Sequence, residues 1–142
     1  MIILAIDPGD PAGWAKFIGG EYDGSGTING DSPSVARDLL IALGPDVLVL
    51  EDQHPGKSGW KSLRTLMRRR FIWEVVAELE GVEVHPMDPS TWQGFYRLKK
   101  GKHAPKMVEQ YSPLASALIG REVWGDEAAA ILMGMWGVTN CT

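Results

Sequence analysis

The chain opens on an apolar run, Ile2-Ile3-Leu4-Ala5-Ile6, that ends in Asp7-Pro8-Gly9. A continuous run without alternation suits a central strand covered on both faces. Gly13 to Ile18 reads as a second strand, Gly19-Gly20 as a hairpin turn, and Tyr22 to Ile28 as a glycine-rich third strand suited to a sheet edge. This pattern predicts an antiparallel three-stranded meander. Asn29-Gly30 turns the chain, and Ser32 or Asp31 can cap a helix with Pro33 in its first turn. Val35, Leu39, Leu40 and Leu43 form the apolar stripe of that helix, and Gly44-Pro45 ends it. A second continuous apolar run, Val47 to Leu50, then ends in Glu51-Asp52. A helix between two such runs predicts a crossover, with the new strand parallel to the first.

Residues 54–62 form a polar loop with basic and aromatic content. A long helix is predicted over Leu63 to Leu79, with Leu66, Phe71, Val75, Val76 and Leu79 on its buried side. Arg64, Arg68, Arg69 and Arg70 load its first half with charge. Val82, Val84 and His85 suggest a short fifth strand, before Pro86 and Pro89 turn the chain toward Trp92. Residues 97–106 are a dense basic loop that enters a short helix at about Ala104. Ser112-Pro113 is expected to interrupt this helix, leaving Leu114 to Ile119 as a separate piece. A final helix is predicted over Asp126 to Trp136, with Gly134 packed closely on the sheet and Gly137 marking the end.

With 142 residues the chain fits one domain, 1–142, large enough for a core without staples. The single cysteine, Cys141, permits no internal disulfide. No run reaches membrane-spanning length, and Asp7 interrupts the first apolar stretch too early for a signal peptide, so a cytoplasmic, membrane-free protein is expected. The net charge of −4 hides an uneven distribution. Residues 57–106 carry 11 Lys or Arg against 5 acids, and the rest of the chain carries 3 against 13. A basic middle with separate acids suits a protein that holds a phosphate backbone and a metal.

The acids fall at element ends: Asp7 and Glu51 at strand tips, Asp126 and Glu127 at a helix start. Each has an ordinary reading, a turn cap for Asp7 and a favourable helix dipole for the later pair. Taken together they form an all-oxygen ligand set. One late cysteine and three scattered histidines, His54, His85 and His103, do not make a zinc site. Clustered carboxylates select Mg²⁺ or Mn²⁺, and two such ions can assist phosphodiester cleavage. Trp60, Trp92 and Tyr96 are candidates for base stacking or for the core, and Trp124 is expected to anchor the final helix.

The ordered segments ILAIDPG with Gly13-Trp14-Ala15, VLVLEDQ, RTLMRRRFIWEVVAELEGVEV, DPSTWQ and GDEAAAILMGMWG resemble the RuvC family of Holliday junction resolvases, within the ribonuclease H-like superfamily. The similarity covers most of the chain, and the compact size resembles the bacteriophage-type branch. It implies an α/β fold, with a mixed five-stranded sheet (antiparallel first three strands, then parallel) flanked by helices. It further implies a homodimeric, metal-dependent enzyme that nicks two opposed strands of a four-way DNA junction. Asp7 matches the first-strand metal ligand, Glu51 the fourth-strand glutamate, and Asp126 a ligand on the final helix. The family's other acid on that helix is replaced by Ala129, and Glu127 is expected to substitute for it. Lys57, Lys61, Arg64, Arg68, Arg69, Lys99, Lys100, Lys102 and Lys106 are the implied DNA contacts, and the long helix the implied dimer interface. Asp52 is a reserve ligand or a neighbour of the site. Three alternatives stand beside this reading. One is a related nuclease acting on flaps, branched DNA or RNA–DNA hybrid. Another is a DNA-binding protein without catalysis, suggested by Ala129. The third, a kinase-type phosphate site, would need a longer chain for its two lobes.

Overall fold

The computed structural model describes residues 1–52 and 59–141, and at 59–62 the backbone alone. The strands are β1 (Ile2–Asp7), β2 (Ala12–Ile18), β3 (Glu21–Ile28), β4 (Val47–Glu51) and β5 (Glu83–Met87). The helices are α1 (Pro33–Leu43), α2 (Gly59–Leu79), α3 (Pro89–Phe95), α4 (Met107–Ile119) and α5 (Gly125–Asn140). One sheet runs in the order β3-β2-β1-β4-β5. The first three strands are antiparallel, and β4 and β5 join parallel to β1. The expected mixed five-stranded sheet is therefore present, with β3 at one edge and β5 at the other.

The unbroken apolar runs in β1 and β4 follow from burial on both faces. Successive side chains point to opposite sides of a strand. Ile3, Ala5 and Val49 enter a core with Ala128 to Met133 of α5. Leu4, Ile6, Leu48 and Leu50 enter a second core with Ala36 and Leu40 of α1 and Trp73, Val76 and Ala77 of α2. The result is a layer of helix, a layer of sheet and a second layer of helix. Helix α5 lies close to the sheet: a side-chain carbon at Gly134 would run into the ring of Phe17.

Several boundaries differ from those expected. Phe71 and Leu79 of α2, expected on its buried side, are exposed, while Val76 is buried as expected, together with Trp73 and Ala77. Pro86 sits inside β5 rather than ending it, because an edge strand has a free side where a missing N–H is tolerated. Helix α4 continues through Pro113, and α5 runs past Gly137 to Asn140. Helix α1 matches its pattern: Ser32 Oγ accepts from the Val35 N–H, and Gly44 closes the helix in the left-handed conformation.

Candidate metal centre

Strand alternation and register bring the first two acids together. In the parallel pairing Ile6 lies opposite Leu50, so Asp7 and Glu51 occupy adjacent strand tips. Asp7 shares a face with Ile3 and Ala5, and Glu51 with Val49, which is the face covered by α5. Asp52 projects to the other face, where it pairs with Arg70 of α2 at 2.6 Å, and Arg70 also contacts Glu74. That pairing places Asp52 away from the other acids.

The third acid arrives on α5. Gly13 lies across from Asp7 in the β1–β2 pairing. Any side-chain carbon at Gly13 would overlap the backbone carbonyl of Asp126. A carbon at Gly9 would come within 2.7 Å of Asp126 Oδ2. The two glycines thus clear the space that lets the first turn of α5 settle on the tip of β1. They are site-forming residues that the acid pattern alone did not single out.

Asp7 hydrogen-bonds to both Glu51 and Asp126. Burial, and then the charges of Glu51 and Asp126, hold the Asp7 carboxyl well above the usual carboxylate range. Glu51 is raised mainly by burial, opposed by its bonds to Asp7 and Trp92. Burial raises Asp126, opposed by its bond to Asp7 and by the charge of Arg69. Asp7 lies between the other two carboxyls, and its neutral form is the one the surroundings favour most. Trp92 is both a core residue and a donor, its Nε1 lying 3.4 Å from Glu51 Oε1. Tyr111 stacks edge-on against Trp92, with ring centroids 5.6 Å apart. Burial and the field of the three acids push its phenol upward, so it stays protonated and can donate a hydrogen bond.

Glu127, the other acid expected as a ligand, is engaged by side chains outside this group of three. Its Oε2 accepts from Ser25 Oγ at 2.7 Å and pairs with Arg121 at 2.6 Å, joining the start of α5 to the edge strand β3. Ala129 is buried in the core with its neighbours on α5. Among the described residues, no group of three or more His, Cys, Asp or Glu side chains is placed so as to hold a metal ion. The carboxyls of Asp7, Glu51 and Asp126 instead meet through shared hydrogen bonds. Their donor chemistry fits a hard divalent cation, whose charge would offset their mutual repulsion.

The basic residues divide into two groups. Arg69 bonds to Asp31 at 3.1 Å and lies 3.7 Å from Asp10, and Arg68 shares Asp31. These two arginines bridge α2 to the loops after β1 and β3. Lys99, Lys100, Lys102 and Lys106 are exposed, as is Arg64. Gln110 ties the basic loop to α4, since its amide accepts from the Lys99 N–H and donates to the carbonyls of Lys99 and Pro105. Lys57 and His54 lie outside the described residues, as do the side chains of Trp60 and Lys61. His103 is exposed in the basic loop, and His85 packs beside Trp136. No described helix is long and apolar enough to cross a membrane.

No protein-family profile matches the sequence, and no curated protein matches it. Solved structures do match the fold. Thermus thermophilus RuvC in complex with a Holliday junction substrate superposes with a TM-score of 0.70 at 14% identity, covering 95% of this chain and 90% of that one. The fowlpox virus Holliday junction resolvase gives 0.59 at 12% identity over the whole of both chains. The yeast mitochondrial Holliday junction resolvase Ydc2 gives 0.57 at 13% identity, covering 96% of this chain and 78% of that one. In fold, this chain is similar to RuvC and to these two Holliday junction resolvases.

Proposed function

We propose that this protein is a divalent-metal-dependent endonuclease that resolves four-way DNA junctions by paired, symmetric nicks. The observation that carries the proposal is the meeting of Asp7, Glu51 and Asp126, from two adjacent strand tips and the helix above them. Three carboxyls gathered in this way, Glu51 buried and Asp7 and Asp126 partly so, are costly to place together without a cation. A bound Mg²⁺ or Mn²⁺ pair would supply an activated water and offset charge on the departing oxygen. The chain's own groups divide the remaining tasks. Asp7, Glu51 and Asp126 hold the centre, and Trp92 orients Glu51. Tyr111 presents a protonated phenol beside the acids. The exposed lysines of the basic loop hold the phosphate backbone, contacts that position an arm without reading its bases.

The fold likeness to three resolvases supports a junction as the substrate. A homodimer fits the two-fold symmetry of a junction, and the exposed Met67 and Phe71 on α2 suit such an interface. The test is cleavage of labelled four-way, flap, duplex and RNA–DNA hybrid substrates with Mg²⁺, Mn²⁺ or EDTA. Junction nicking that needs metal and is lost in Asp7→Asn, with binding retained, is the expected result. Undiminished cutting by Asp7→Asn overturns the proposed site. Preference for hybrid or flap reassigns the substrate, and binding without metal-dependent nicking makes the protein a non-catalytic junction binder.

A further inference from the structure

Trp124 is an exposed large aromatic close in sequence to the acid that α5 brings to the centre. It immediately precedes α5, two positions before Asp126, and it is 59% exposed. The expectation that it anchors the helix is not met, because Val123 takes that role and is buried.

The backbone on either side of Trp124 is pinned. The Val123 N–H donates to Ser116 Oγ at 2.9 Å, and its carbonyl accepts from the same hydroxyl at 3.1 Å. The Gly125 N–H donates to Ser112 Oγ at 3.2 Å, and Ser112 is fully buried in α4. Trp124 itself is extended and makes no capping bond with its side chain. An indole is thus carried outward on a fixed support, next to the residue that supplies the third acid. Covering an exposed indole with a flat apolar partner is favourable.

We infer that Trp124 is a stacking platform for a nucleotide base next to the phosphate that is cut. This inference rests on the proposed nuclease function and adds a substrate-contacting residue to it. Bases at a branch point are more readily unstacked than those in a continuous duplex, and an indole face accepts any of them. A platform at this position fixes the strand on the side of Asp126, while the lysines of the basic loop hold its backbone. Stacking of this kind selects for distorted DNA and not for sequence.

The test uses the full chain and four-way junctions carrying 2-aminopurine at single positions around the branch, in EDTA so that no strand is cut. Wild-type protein is expected to quench the fluorophore at one or two positions beside the branch. Trp124→Ala should lose that quenching and weaken junction binding by about 5- to 100-fold, while Trp124→Phe retains most of both. With Mg²⁺, the Trp124→Ala defect should appear in KM more than in kcat. Quenching by wild type is read without any variant, so a folding defect in Trp124→Ala does not mask the result. If wild type binds junctions with no local quenching, or Trp124→Ala binds as tightly, stacking is wrong and the nuclease reading stands. A Trp124→Ala protein that changes only its sedimentation in the absence of DNA makes this indole a protein interface and also overturns the proposal. A wild type that binds no branched DNA overturns the functional reading first, and this inference with it.

Discussion

Asp7 is buried with a carboxyl on either side, and that local arrangement sets the behaviour of the free protein. Its carboxyl is raised above the ordinary range by burial and by its two acidic neighbours. The folded chain therefore binds that proton more tightly than the unfolded chain does. The proton's stabilising effect is complete below the unfolded pKa near 4 and is lost as pH rises through the folded value. Asp7→Asn removes the charge and keeps a donor for Glu51 or Asp126. In EDTA at pH 7–8 this variant should melt above wild type, by about 3–5 °C for each kcal/mol relieved. The difference should shrink toward pH 4, and scanning calorimetry across pH checks both the sign and the window. Gly13 gives the opposite result. Gly13→Ala forces a carbon against the Asp126 carbonyl, so it should destabilise by about 1–3 kcal/mol. It should also reduce cleavage on the order of 100-fold if α5 shifts by about 1 Å. A urea melt and a junction-nicking rate, measured on the same preparation, separate these two effects.

At the scale of elements, Gln110 connects the basic loop to the rest of the molecule. Its three hydrogen bonds hold a stretch whose lysines would otherwise have to be ordered by the DNA itself. Gln110→Ala should weaken junction binding by about 3- to 10-fold in a titration at fixed salt, without altering the metal requirement. The strands and their acidic tips were legible because each central strand is a continuous apolar run stopped by a carboxylate. Alternation along β4 already separated Glu51 from Asp52. The first turn of α5 was less legible. Asp126 and Glu127 are neighbours of one charge type, and only the position of Arg121 and Ser25 in space shows which turns outward. The burial of α2 was misread for a related reason: Phe71 and Leu79 are the more apolar residues, but Trp73 and Ala77 fall on the side that meets the sheet. Pro113 marked a break that α4 does not make. Its neighbour Ser112 is buried, and the helix is fixed against α5 on both sides of the proline.

Across the whole molecule, the acid centre and the exposed stripe of α2 lie on different elements. Phe71, 63% exposed, and Met67, one turn before it, form the apolar surface on which the proposed dimer would assemble. Phe71→Glu should convert a dimer to a monomer in sedimentation velocity experiments. If one active site can still cut, the variant should nick single strands of a junction while losing coordinated pairs, a difference visible on a supercoiled cruciform substrate. A wild type that sediments as a monomer at all concentrations leaves the stripe without this role.

The three acids are also unequally placed in the order of synthesis. Asp7 and Glu51 belong to strands made early, while Asp126 comes on α5, the last helix of the fold. A ribosome therefore carries a growing polypeptide with two thirds of its centre for most of the time it takes to make it. The close seat that Gly9 and Gly13 leave for Asp126 stays vacant until that helix emerges and docks. Whatever chemistry the three acids perform together is withheld until α5 is made and docks.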